Sequence, residues 1–257
     1  MTAEVLAAAP ERVATPHRFL VLWQSPGDRG YHRVGTLERD DSGYRFRYTP
    51  GARSIPGFEG FASFPDFQSE YRSPELFATF ANRVMTPRRD NYEAYVQSLG
   101  LTDARPEPFE VLARTLGTRA TDLVQLLPVP TIDGHGLLSL YFLVHGSRHV
   151  DPTGEQLATL RQGDELFLAP EDDNVASTVA VLVGDRPHPT RDRSLGYVPD
   201  VLAALVRALL ATGTPLRATA EQVNQPSASH LPDHMRLLVR LDALAPDGFD
   251  VEATLPS

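Results

Sequence analysis

Between residues 168 and 181 the chain reads LAPEDDNVASTVAV, and this segment sets the pattern for its second half. A strand ends at Leu168, an acidic turn follows over residues 169–174, and a second strand covers Val179–Val183. Similar apolar segments of strand length flank the turn, and an apolar stripe at helical spacing follows Pro199. These flanking strands are predicted at residues 137–144, 164–168, 195–198 and 235–241. The pattern predicts a small β-structure with one helix over residues 137–250.

Short motifs in this half occur in a definite order, and together they resemble the HIRAN domain. They are Gly146-Ser147-Arg148, the acidic turn ending at Asn174, Val179-Ala180-Val181, and Leu195-Gly196-Tyr197-Val198-Pro199. The resemblance implies a small OB- or SH3-like β-barrel. In eukaryotic DNA-repair translocases it implies a domain that captures the 3′ end of single-stranded DNA.

The same resemblance assigns candidate nucleic-acid contacts. Arg148 stands where the family has a DNA-contacting arginine, and His149 stands where it has an aromatic ring that stacks on a base. Tyr197 is expected nearby. The family's Tyr-Asp pair, whose carboxylate reads the terminal hydroxyl, is replaced here by Ala176 and Ser177. We therefore include Ser177 in the site and expect the reading of strand ends to be lost or changed.

The first half of the chain has a different pattern of strands, turns and helices. This pattern predicts a separate domain over residues 17–130, after a disordered lead at 1–16. Strands are predicted at 17–24, 34–37 and 44–48, and a Phe-rich ordered loop follows them. Helices are predicted to begin at Ser73, Asp90 and near Phe109. The Pro- and Gly-rich segment 128–136 marks the domain boundary.

Several N-terminal motifs resemble the small N-terminal subdomain of HipA-type toxin kinases. They are Val34-Gly35-Thr36-Leu37, the strand Tyr44–Tyr48, Phe80-Ala81-Asn82-Arg83, and the helix end at 112–117. The resemblance implies a bacterial toxin–antitoxin context and an interaction domain that contacts a kinase or repressor. The chain has no Gly-rich phosphate loop, no lysine and no catalytic-loop pattern, so it contains no kinase core.

Arg45 and Arg47 alternate with aromatic residues on one predicted strand and form a secondary basic face. They could contact phosphates beside stacking rings. Alternation along a strand favours the other interpretation, with the rings in a core and the guanidinium groups in water.

Composition and residue spacing exclude several kinds of functional site. The chain has 257 residues and no cysteine, which excludes disulfides, thiolate zinc sites and thiol nucleophiles. Neither His145 with His149 nor His230 with His234 has convincing metal-ligand geometry, and Glu171–Asn174 is predicted to be a solvated turn. Ser147 lies beside two histidines without a nucleophile elbow. We therefore expect no metal, no cofactor and no catalysis.

Charge and hydropathy restrict the partners. Residues 137–257 hold 9 arginines against 16 acidic residues, a net charge of −7, so any nucleic-acid contact there must be local and structured. No apolar run approaches the ~18 residues that span a bilayer, and a cytoplasmic location is expected.

The sequence thus predicts a two-domain α+β protein: a HipA-N-terminal-like domain followed by a HIRAN-like barrel. Two functions stay open. The barrel binds single-stranded DNA or a DNA end, or the chain is a protein-interaction regulator that restrains or adapts a HipA-like kinase.

Overall fold

The structure is a computed structural model, and it describes residues 13–119, 121–225, 231 and 233–257. The predicted disordered lead lies largely outside these residues, as does His230. The strands are β1 (Arg18–Gln24), β2 (Tyr31–Asp40), β3 (Gly43–Tyr48), β4 (Glu70–Ser73), β5 (Val124–Pro128), β6 (Leu137–Leu143), β7 (Glu165–Pro170), β8 (Val181–Gly184), β9 (Gly196–Tyr197), β10 (Leu216–Val223) and β11 (Leu237–Leu244). The helices are α1 (Ala78–Ala81), α2 (Tyr92–Ser98), α3 (Pro108–Thr115), α4 (Ser147–Val150), α5 (Glu155–Thr159) and α6 (Asp200–Ala211).

The chain divides into two compact units. The N-terminal unit contains Thr15–Arg89, Arg105–Val129 and Pro256–Ser257, and the C-terminal unit contains Asp90–Ala104 and Pro130–Leu255. The change at residues 129–130 falls where the Pro-rich boundary was predicted. Residues 90–104, which were predicted to belong to the first domain, are grouped with the C-terminal unit. One contact within this unit is the hydrogen bond from the side-chain amide of Asn224 to the carbonyl of Ser98, at the end of α2, at 2.8 Å.

The N-terminal unit is an antiparallel sheet, in the order β4-β3-β2-β1-β5, packed on an aromatic core. The predicted Phe-rich loop is ordered because its rings enter this core, where Phe64 stacks on Phe46 with ring centroids 4.4 Å apart. The helix predicted from Ser73 is mostly wrong: Ser73 ends edge strand β4, and α1 is a single turn. Backbone pairing of Tyr44 with Ser73 outweighs the local capping signal.

The C-terminal unit is a curled, half-barrel sheet in the order β6-β11-β10-β7-β8-β9. Helix α6 presents the predicted apolar stripe, with buried residues that include Leu202, Leu205 and Val206. Strand β10 was missed because its inward residues are the small Ala218 and Ala220, which give a weak apolar signal. The molecule is therefore mixed α+β and mostly strands, as the predicted class requires. Within the described ranges, no helix has the length and apolarity to cross a bilayer.

Candidate functional site

A sharp corner follows β6 and carries the two main candidate residues. Gly146 adopts a left-handed conformation with φ 69°, which glycine tolerates without a Cβ penalty, and α4 begins directly after it. Arg148 and His149 lie on this short helix, and both are exposed. No helix was predicted for this segment, so α4 adds to the predicted elements. Gly146, in its left-handed conformation, separates His145 from α4. His145 and His149 therefore do not lie on one face of a helix.

Backbone pairing holds the corner against the last strand of the sheet. His145 and Tyr197 exchange two hydrogen bonds, with N···O distances of 2.9 and 2.8 Å. The approach is so close that a Cβ on Gly196 would lie 2.4 Å from the carbonyl oxygen of His145. Gly196 also has φ 139°, a conformation that other residues rarely adopt. The first and last strands of the curled sheet are thus joined at the base of α4.

The Tyr197 side chain also supports the corner at Gly146. Its ring lies beneath the corner, because a Cβ built on Gly146 would be 3.2 Å from Tyr197 Cδ2. Its hydroxyl donates to Glu171 Oε2 at 3.1 Å, and Arg191 Nε donates to the hydroxyl at 3.3 Å. Tyr197 is therefore held at both ends of its ring.

Glu171 is a buried carboxylate at the centre of this network. It is 9% exposed, and its oxygens meet the Tyr197 hydroxyl, the Asn174 amide and Arg191 Nε, the last at 3.3 Å. Several donors around one carboxylate offset the cost of removing it from water. The predicted solvated turn is thus correct for Asp172 and Asp173, which are exposed, and wrong for Glu171.

Asn174 connects this network to Ser177. Its Oδ1 accepts the backbone N–H groups of Ala176 and Ser177 at 2.9 and 3.1 Å. The turn therefore has a defined shape, and its tip residue Val175 is 95% exposed. Neither Ala176 nor Ser177 offers a ring for stacking or a carboxylate for a terminal hydroxyl.

His145 differs from Arg148 and His149, which follow it in the chain, because it is largely buried. Burial, reinforced by the nearby charge of His234, lowers the pKa of His145 to about 4, although Asp200 acts in the opposite direction. His145 is neutral at pH 7 and contributes through its backbone. The positive charge on the corner comes from Arg148.

The secondary basic face lies in the N-terminal unit, on β3. Arg45 donates to Glu38 through two nitrogens, and Arg47 Nη2 lies 3.8 Å from the same carboxylate. Phe46 and Tyr48 are buried in the core, so these rings are not available to stack on bases. This geometry agrees with the interpretation that places the rings of the strand in the core and its guanidinium groups on the solvent side.

The structure thus brings Tyr197 together with the corner of Arg148 and the turn of Ser177. Sequence reasoning missed Glu171 as a buried hub and gave Arg191 no role. The three-residue spacing between Glu171 and Asn174 was visible in the motif, but nothing local marks Arg191. In the part of the chain that the structure describes, no group of three or more histidine and acidic side chains could hold a metal ion.

Comparisons with known proteins give no family for this chain. No family model matches it, and no curated protein matches it. A crystal structure of a protein from Lactobacillus plantarum, solved by a structural genomics consortium, aligns with 22% identity and a TM-score of 0.32. The alignment covers 46% of this chain and 96% of that one. A TM-score this low supports no conclusion about this chain.

Proposed function

We propose that this protein is a non-catalytic binder of single-stranded nucleic acid, and that α4 and the corner before it form the contact surface. The observation that carries this proposal is the state of Arg148 and His149. Both are exposed on a corner that two backbone hydrogen bonds hold, and neither makes an ion pair or side-chain hydrogen bond within the described ranges. A guanidinium group suits phosphate oxygens, and an imidazole ring stacks on a base.

The charge of the surrounding region shapes the expected affinity. Residues 137–257 carry a net charge of −7, so long-range attraction to a polyanion is weak. Binding then depends on a few direct phosphate contacts, and its dependence on salt is shallow. Each neutralised phosphate of a single strand contributes about −0.7 to the slope of log K against log salt concentration.

The turn at Asn174 supports a change of preference relative to HIRAN domains that capture strand ends. Ser177 replaces the carboxylate of that family's pair, and Ala176 replaces its ring. We expect this protein to bind internal segments of a strand as well as its 3′ end. We therefore expect an oligonucleotide blocked at its 3′ hydroxyl to bind as tightly as the free one.

The direct test measures fluorescence anisotropy of a labelled oligothymidylate at low ionic strength. Arg148→Ala is expected to weaken binding about tenfold, since it removes a phosphate contact. Arg186→Ala is the matched control, because Arg186 is exposed in the same unit and lies near its own neighbour Asp185 at 3.7 Å. Equal losses in both variants, or no binding by the unaltered protein, would refute the proposal.

The acidic charge of the same residues favours a second candidate, a protein-interaction regulator. In this case the chain restrains or adapts a HipA-like kinase or binds a repressor, and the curled sheet is a scaffold. Affinity purification from the host, followed by mass spectrometry, distinguishes the two. Recovery of a kinase or repressor together with absent oligonucleotide binding would support the second candidate over the first.

A further inference from the structure

Arg191 is oriented by the same network that holds the corner, although nothing in the sequence marks it. Its Nε lies 3.3 Å from the Tyr197 hydroxyl and 3.3 Å from Glu171 Oε1. The Arg191 side chain is 53% exposed, whereas that of Glu171 is 9% exposed. The guanidinium group therefore has one edge attached to a buried acceptor pair and the rest in solvent. The hydrogen bond that Arg191 donates to Tyr197 and the charge of Glu171 also raise the pKa of Arg191, so it stays charged.

The outer edge of this guanidinium group is open. Within the residues that the structure covers, its two Nη atoms donate to no acceptor. An arginine that is anchored through Nε loses less side-chain entropy when it binds, because its orientation is already set. The two Nη groups then present the planar fork that matches two oxygens of one phosphate.

The ring of Tyr197 contacts both Arg191 and the corner that precedes Arg148. The Cδ2 side of the Tyr197 ring packs under Gly146, two residues before Arg148, while the hydroxyl end contacts Arg191. The same ring therefore supports the backbone before Arg148 and orients Arg191. The carboxylates that act on Arg191 are Glu171, which is buried and lies 3.3 Å from Nε, and the exposed Asp173.

We propose that Arg191 is a second phosphate contact and that Tyr197 is its positioning residue. The ligand is a segment of single-stranded nucleic acid with at least two consecutive phosphates, one held by Arg148 and a neighbouring one by Arg191. The inference rests on the proposed function and extends it, since it names a residue outside the HIRAN-like motifs. It also gives Tyr197 a role through its hydroxyl instead of as a stacking surface.

The test compares the salt dependence of oligothymidylate binding for the full chain and its variants. Arg191→Gln is expected to lower affinity about five- to tenfold at low salt and to reduce the salt slope by about 0.7, the value for one phosphate on a single strand. Arg191→Lys keeps the charge without the fork, so the slope is retained and affinity falls less. Arg186→Gln serves as the control and leaves both quantities unchanged.

Tyr197→Phe tests the positioning role separately. It keeps the ring under Gly146 and removes the hydroxyl that accepts from Arg191 Nε. We expect affinity to fall about two- to threefold with the salt slope unchanged, because the charge remains and only its orientation is lost. Hydrogen exchange of the sheet, measured alongside, shows that the variants are folded.

The outcomes separate the two proposals. If Arg148→Ala weakens binding and Arg191→Gln changes neither affinity nor slope, the second contact is overturned and the proposed function stands. If the unaltered chain binds no oligothymidylate at low salt, both fail. If Tyr197→Phe changes the slope as much as Arg191→Gln does, the positioning role is wrong.

Discussion

Strand β3 and the corner before α4 combine the same residue types, arginine and tyrosine, with opposite results. On β3 the alternation of the strand sends Phe46 and Tyr48 into the core, and Glu38 pairs with both arginines on the other face. At the corner, Tyr197 lies between a glycine backbone and Arg191, and Arg148 has no partner within the described ranges. Arginine content by itself therefore does not identify a binding surface.

The largest expected effect comes from breaking the corner itself. Gly196→Ala puts a Cβ 2.4 Å from the His145 carbonyl oxygen and 2.5 Å from Val144 Cγ1, at a backbone φ of 139°. We expect a loss of about 3 kcal/mol or more in the free energy of unfolding of the C-terminal unit. Gly134→Ala is the control, since nothing lies within 4 Å of its added Cβ. Thermal denaturation checks both, and equal melting temperatures for the two variants would contradict the prediction.

The neutral state of His145 makes the corner sensitive to acid. Its pKa is about 4 in the folded protein, against the ordinary histidine value of 6.5, so the unfolded chain binds more protons between these two pH values. Stability is fully present above pH 6.5 and falls as pH drops toward 4, by up to about 3 kcal/mol. Urea titrations across this range should show the slope in the unaltered chain and a smaller slope in His145→Gln. Identical pH profiles would show that another group is responsible.

A third effect concerns the two carboxylates that hold arginines. Glu171→Ala leaves the Tyr197 hydroxyl and the Asn174 amide without their acceptor in a buried site, at a cost of about 1–3 kcal/mol. Glu70→Ala removes an exposed carboxylate that pairs with Arg72 at 2.6 Å and costs less than about 1 kcal/mol. Denaturant midpoints compare them directly. A larger loss for Glu70→Ala would reverse the ranking of buried and exposed pairs.

The smallest expected effect on oligonucleotide binding is that of the two arginines on β3. Arg45→Ala and Arg47→Ala should change oligothymidylate affinity by less than about twofold, because Phe46 and Tyr48 beside them are buried in the core and offer a base no stacking surface. Arg148→Ala, measured in the same titration, provides the scale. A loss of affinity for the β3 variants as large as that for Arg148→Ala would mean that β3 also belongs to the contact surface.

Elements set by local sequence patterns were predicted correctly, and elements set by contacts between distant residues were not. The three N-terminal strands, α6 and the aromatic loop were predictable because apolar periodicity reports which face of an element is buried. The helix expected from Ser73 failed because a strand pairing with Tyr44 decided that segment. Strand β10 failed because alanines lined its buried face.

The sequence by itself determined the α+β class, the turn that ends at Asn174, and the position of Arg148 just after a glycine corner. These depend on side-chain size, polarity and backbone freedom within a few neighbouring residues. Only the tertiary structure decided that Glu171 is buried while Asp172 and Asp173 are exposed. Tyr197 reaches Glu171 across 26 positions of the chain, and it does so because the sheet curls and brings β9 to the corner. Contacts made by strand pairing carry no local periodicity, so the site could be assembled only from the folded chain.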